Sequence, residues 1–148
     1  MSAEKFNIVE LLWEKVLDAR PKDGEWEKSV PETGGLYQIY ANSSIYGENA
    51  LIFIGQADSL RKDLKKQVFE NVGIYRQEIT TLRFAEFDKT VDGITRDIVE
   101  SILIAWHKPS FNTKNIFTAK CGKEYVLVQN HEDKGCLDLW CSNYYWFQ

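Results

Sequence analysis

Residues 50–54, Ala-Leu-Ile-Phe-Ile, are an apolar run with no polar alternation. A strand of that kind cannot face water on either side, so the fold around it must supply an apolar layer on both. Leu36 to Ala41 is a second short apolar run, and the stretch between them, Asn42 to Asn49, carries turn-forming Asn, Ser and Gly. The pair predicts a hairpin of neighbouring strands, the second of them central. Helices are the natural cover. Asp58 or Ser59 can cap a helix to about Phe69, with Leu60, Leu64 and Val68 as its apolar stripe. Asp92 can cap a second helix from about Gly93 to His107, which Pro109 stops. Its stripe is Ile94, Ile98, Ile102 and Trp106, widened by Val99 and Leu103. Ile79 to Phe87 alternates partly and predicts a third strand.

The flanks complete the expected architecture. Phe6, Val9, Leu12, Trp13, Val16 and Leu17 recur at helical spacing ahead of Pro21, which predicts an N-terminal helix over 6–20. Residues 21–34 are polar and read as a loop. Glu124 to Gln129 and Leu137 to Cys141 predict a closing hairpin around a turn at Asn130 to Gly135. The expected fold is a mixed α/β single domain over 1–148. It has a small, largely antiparallel three-stranded central sheet flanked by helices, an extra N-terminal helix and a C-terminal hairpin.

Length and composition narrow the function classes. A chain of 148 residues suits one domain and buries enough surface to need no metal or disulfide staple. Aromatic residues at 14% exclude disorder for the bulk of it. No apolar run approaches the roughly 20 residues of a membrane span, and the first residues lack the apolar stretch of a secretory signal. Cys121, Cys136 and Cys141 are odd in number and without metal-ligand spacing, which fits free thiols in a reducing cytosol and a cytoplasmic protein. The net charge of −4 weighs against a sequence-blind nucleic-acid binder with a broad basic field, while leaving room for a local basic patch.

Three fragments carry chemistry. They are Gly35-Leu36-Tyr37, Phe53-Ile54-Gly55, and a helix bearing Glu100 followed by Lys108-Pro109 and Asn112. In that order, on strand, strand and helix, they resemble the GIY-YIG nuclease family over about residues 31–113. Gly35-Leu36-Tyr37 stands where that family has GIY, and Phe53-Ile54-Gly55 where it has YIG. Glu100 stands at the family's metal-binding Glu, and Asn112 follows as in the excision-repair branch. The resemblance implies metal-dependent hydrolysis of a DNA phosphodiester, with Tyr37, Glu100 and Asn112 in the site and Mg²⁺ or Mn²⁺ held by Glu100. Such chemistry needs an activated hydroxyl or water, a carboxylate for the ion, and a preorganised cation for the developing charge. Gly73-Ile74-Tyr75 spells the motif literally but has no YIG-like strand after it.

Each of these residues also has a plainer reading. Tyr37 can be a packed strand residue, Glu100 an i, i+4 partner of Arg96 on a solvated face, and Asn112 a loop residue satisfying turn backbone. Moreover, the pattern is broken. Phe53 replaces the second motif Tyr. The family's Arg, ten residues further on, is Asp63, which inverts the charge meant to face phosphate. The family's His or Tyr four residues later is Gln67, which cannot act as an acid or base near neutral pH. Arg61 lies about 200° around the helix from Asp63, and Lys62 about 100°. Arg61, Lys62, Lys65 and Lys66 form either a basic ridge for phosphates or a solvated face. Asp63 can alternatively serve as a second carboxylate ligand to a metal.

His107 and His131 stand alone, and His107 sits where it can meet terminal helix carbonyls. Cys136 and Cys141 read as packing residues of the last hairpin. The aromatic tail, Asn143 to Phe147, is either a final packed strand or an exposed patch for a protein partner or self-association. Three functions stay open. They are a metal-dependent DNA endonuclease, a catalytically impaired member of that fold that binds DNA, and a protein-interaction module without a nucleic-acid role.

Overall fold

The computed structural model describes residues 6–16, 25–43, 45, 47–69 and 78–147. Gly73-Ile74-Tyr75 and the end of the expected N-terminal helix lie outside them. Strands β2 (Gly35–Ser43) and β3 (Gly47–Ala57) form the expected hairpin, pairing Tyr37 with Gly55 and Ile39 with Phe53, but β3 is an edge strand and not the central one expected, because its apolar run reflects cover on both faces rather than a ladder on both sides. Strand β4 (Glu78–Glu86) pairs with the other edge of β2, setting Phe84 beside Tyr37. Helix α1 (Leu60–Phe69) follows β3, and helix α2 (Gly93–His107) follows β4.

The N-terminal element corrects the expectation. Residues Phe6–Val16 are a strand, β1, not a helix. It pairs antiparallel with β4 through Glu14, Lys15 and Val16, and parallel with β5 (Tyr125–Glu132) from Phe6 to Trp13. A short β6 (Trp140–Ser142) closes the sheet against β5. The result is one mixed six-stranded sheet in the order β3-β2-β4-β1-β5-β6, which overturns the three-stranded sheet flanked by helices. The reason lies in Leu11. Val9, Leu11 and Trp13 are all buried while Ile8 and Leu12 are left exposed, so the buried set has the period of a strand. The helical spacing of Phe6, Val9, Leu12, Trp13 and Val16 coexisted with that second pattern.

Apolar layers cover both faces of β3, as its composition requires. One face packs on α2 through Leu36, Ile54, Ala85, Val126, Val128 and the inward residues of β1. The other packs on Leu60, Leu64 and Val68 of α1, with Trp26 from a 3-10 turn at Glu25–Ser29 and Val30 directly after it. Asp92 caps α2 by accepting from the Thr95 amide at 2.7 Å, and Lys108 ends it in the left-handed conformation before Pro109. Ile98, Val99, Ile102 and Leu103 are buried as read, whereas Ile94 and Trp106 at the ends of the stripe stay exposed.

The C-terminal part is a hairpin of different extent. β5 runs through the expected turn to Glu132, and Cys136 lies exposed outside the strands while Cys141 is buried. The aromatic tail is a 3-10 turn, Tyr144–Trp146, rather than a strand. It packs Tyr144 and Phe147 against Tyr125 at 4.8 and 4.5 Å between centroids, the first ring tilted and the second edge-on. His107 meets the end of its helix as expected. The Asp138 amide donates to Nε2 at 3.0 Å, so Nδ1 carries the hydrogen and donates to the Leu103 carbonyl at 2.9 Å. Among the described residues no helix is long and apolar enough to cross a membrane.

Candidate functional site

The C-terminal end of β3 opens into a cleft of about 670 Å³ between α1 and α2. Gln56, Ala57 and Asp58 form its floor. Lys62, Asp63 and Lys66 come from α1, and Asp97 and Glu100 from α2. Tyr37, on β2, is buried beneath it and bonded to the Gln67 side-chain amide. Its phenol is held well above its ordinary pKa, first by burial, then by the nearby charges of Asp63 and Glu100. Tyr37, Asp63, Gln67 and Glu100 thus meet, although the chain separates the first from the last by two strands and a helix.

Two glycines make this contact possible. A Cβ on Gly55 would overlap the Tyr37 ring, so only glycine lets the phenol lie across β3. A Cβ on Gly35 would overlap the Ala85 carbonyl oxygen and stand 2.9 Å from Leu60 Cδ1. Phe53 lies diagonally across the hairpin from Tyr37, their ring centroids 6.0 Å apart. It is a plain apolar ring there, without a hydroxyl.

Glu100 is half-buried, and the Gln56 backbone amide donates to its carboxylate. Burial raises its pKa and Asp97 adds to that, while Lys120, the Gln56 amide and Lys114 oppose it. The pairing with Arg96 is not what the structure shows. That guanidinium sits 5.1 Å over the Phe87 ring, with Nε donating to the Val91 carbonyl at 3.0 Å. The pKa of Asp63 is raised by burial and by Asp58 against the lowering influence of Lys66 and Lys62.

The expected basic ridge is divided. Lys62 and Lys66 line the cleft. Arg61 turns away, donating to the Val30 carbonyl at 2.8 Å and pairing with Glu32 at 3.1 Å, and Lys65 reaches Glu27 at 3.7 Å. Asn112 is engaged by backbone. Its amide accepts from Ile54 N at 3.0 Å and donates to Ile54 O at 2.9 Å, while Phe111 N bonds Ile52 O at 2.8 Å. Residues 111–112 therefore cover the outer edge of β3 and hold the strand whose end floors the cleft.

Sequence reasoning missed Asp97, Lys114 and Lys120. Asp97 stands one helical turn before Glu100, and that spacing was a readable signal. The two lysines lie in the irregular segment after α2, where only tertiary structure brings them toward Glu100. Among the described residues no group of three or more His, Cys, Asp or Glu stands ready to hold a metal ion. No family model, curated protein or solved structure matches this chain.

The raised carboxyls have a consequence for stability. Charging Glu100 or Asp63 costs more in the folded chain than in the unfolded one. Their contribution is intact below the ordinary carboxylate range and is lost as pH rises through the raised values. Glu100→Gln is expected to raise the melting midpoint near pH 7 and leave it unchanged near pH 3, where both forms are neutral. A thermal-melt series across that interval reads this out. An equal gain at both ends would assign the effect to packing instead.

Proposed function

We propose that this chain is a GIY-YIG-like domain that binds DNA at the α1–α2 cleft and is impaired in cutting it. The supporting observation is the convergence of Tyr37, Asp63, Gln67 and Glu100, each from the element that the resemblance implies. The impairment follows from the groups themselves. Tyr37 is buried and held in its protonated form, so it orients a neighbour rather than taking a proton. Phe53 offers no hydroxyl, and Asp63 sets a negative charge where a phosphate needs a positive one.

Lysines supply the phosphate attraction that remains. Lys62 and Lys66 line the cleft on α1, and Lys114 and Lys120 are near enough to lower the pKa of Glu100. The carboxylate of Glu100 suits an Mg²⁺ or Mn²⁺ ion that keeps several waters and takes phosphate oxygens, rather than one enclosed by protein ligands. When bound, such an ion would neutralise charge on the phosphate. Glu100 would hold it, its carboxylate oriented by the Gln56 amide.

Titration of labelled duplex and branched DNA against salt tests the reading. Binding is expected to weaken with added salt, and Lys62→Ala with Lys66→Ala is expected to reduce the slope of log K on log salt by about 2. A supercoiled-plasmid assay with Mg²⁺ and Mn²⁺ is expected to show little nicking. Absence of binding to every DNA form at low salt would overturn the proposal, and rapid nicking abolished by Glu100→Ala would overturn the impairment.

A further inference from the structure

β1 and β4 share only three pairs, Glu14–Phe84, Lys15–Arg83 and Val16–Leu82. Beyond them the strands part. β1 continues along β5, β4 continues along β2 to Glu86, and the chain then leaves through Phe87 to Val91 for α2. Among the described residues, the β4-facing edge of β1 from Phe6 to Trp13 therefore has no ladder partner. The parting is a cleft of about 530 Å³. Ile8 and Leu12 line it while 57% and 61% exposed, which is unusual for residues in the interior strand of a sheet.

The charge of this cleft has one sign. Glu10, Glu14, Glu86 and Asp88 line it, and among the described residues no Lys, Arg or His does. None of the four forms an ion pair among the described residues. Glu86 accepts from the Thr33 hydroxyl at 3.0 Å, and Asp88 accepts from the amide and hydroxyl of Thr90 at 2.9 and 2.8 Å, so these two are positioned by neutral donors. Along β1 the sequence Ile8, Glu10, Leu12, Glu14 puts apolar and acidic side chains in turn on one face.

We propose that this parting of the sheet is a docking site for an extended segment of a protein partner in which apolar residues alternate with Lys or Arg, added as a strand along β1. An unpaired edge supplies backbone donors and acceptors for such an addition. On the face of β1 that carries Ile8, Glu10, Leu12 and Glu14, the basic residues lay their apolar stems on Ile8 and Leu12 and their charges against the carboxylates, while the alternate apolar residues point to the opposite face. The same charge repels nucleic acid, so this surface is separate from the lysine-bearing cleft at α1 and does not depend on the DNA reading.

Fluorescence anisotropy of the full chain with a labelled octapeptide of alternating Val and Lys tests it. The controls are the Val and Glu octapeptide and a Val and Lys octapeptide N-methylated at alternate residues. The basic peptide is expected to bind saturably, and to lose affinity in salt and in the two controls by about tenfold or more. Glu10→Lys with Glu14→Lys, both at exposed positions, is expected to weaken it similarly while leaving the melting midpoint in place. Hydrogen exchange at Phe6–Trp13 is expected to slow on binding. Equal affinity for the acidic peptide, or no saturation up to millimolar peptide, would overturn the proposal. So would a concentration-dependent dimer that the basic peptide cannot compete, which would make the occupant a second copy.

Discussion

Phe53→Tyr combined with Asp63→Arg is expected to raise metal-dependent nicking of supercoiled plasmid at least about 10²-fold, since each electrostatic donor in such a site is worth about 10²–10³ in rate. Phe53 is half-buried and its ring centroid lies 6.0 Å from that of Tyr37, so the added hydroxyl is carried by the ring next to that phenol. Asp63 lines the cleft and is one of the charges holding up the Tyr37 pKa. Replacing it by Arg exchanges a repulsion for an attraction and lets the phenol ionise more readily. Lys62 and Lys66 already flank that position, so the helix face becomes uniformly basic. Glu100→Ala in the same background is expected to abolish the gain. A double variant that melts like the parent but nicks no better would show that missing motif groups are not what limits the chemistry.

Gly35→Ala is the second large effect, this time on stability. The new Cβ would overlap the carbonyl oxygen of Ala85 and crowd Leu60. Gly35 pairs with Ala57 on one side and Glu86 on the other, so β2 is locked between two ladders and cannot retreat. The obstacle is backbone in a central strand, and overpacking of that kind costs about 3 kcal/mol. For a chain of this size that is roughly a 10 °C fall in midpoint, measurable by thermal melting. Gly55→Ala meets a different obstacle, the Tyr37 ring, which can swing aside. It is expected to cost less stability and to displace the phenol, so its signature is a changed Tyr37 environment rather than a collapsed midpoint. A Gly35→Ala protein as stable as the parent would mean that the β2–β4 spacing is looser than the structure gives.

The candidate site was legible because its parts are local. The hairpin, α1 with its Leu60, Leu64 and Val68 stripe, β4, and α2 with its Asp92 cap all follow from short-range patterns, and they carry Tyr37, Asp63 and Glu100 with them. The direction of Arg61 away from Asp63 also followed, from helical geometry alone. Asn112 was a different matter. Its type suits both a catalytic amide and a backbone clamp, and only its two bonds to Ile54 distinguish the roles.

By itself the sequence determined a doubly covered hairpin and the two helices that cover it. These rest on neighbouring residues, whose periodicity and capping act within a few turns of chain. Tertiary structure alone decided that β1 is a strand, that it joins β4 to β5, and that Lys114 and Lys120 reach Glu100. The apolar residues of 6–16 fit both a helix and a strand. The choice went to the form that buries Val9, Leu11 and Trp13 together and gives β5 a partner from more than a hundred residues away, a gain that no local pattern records.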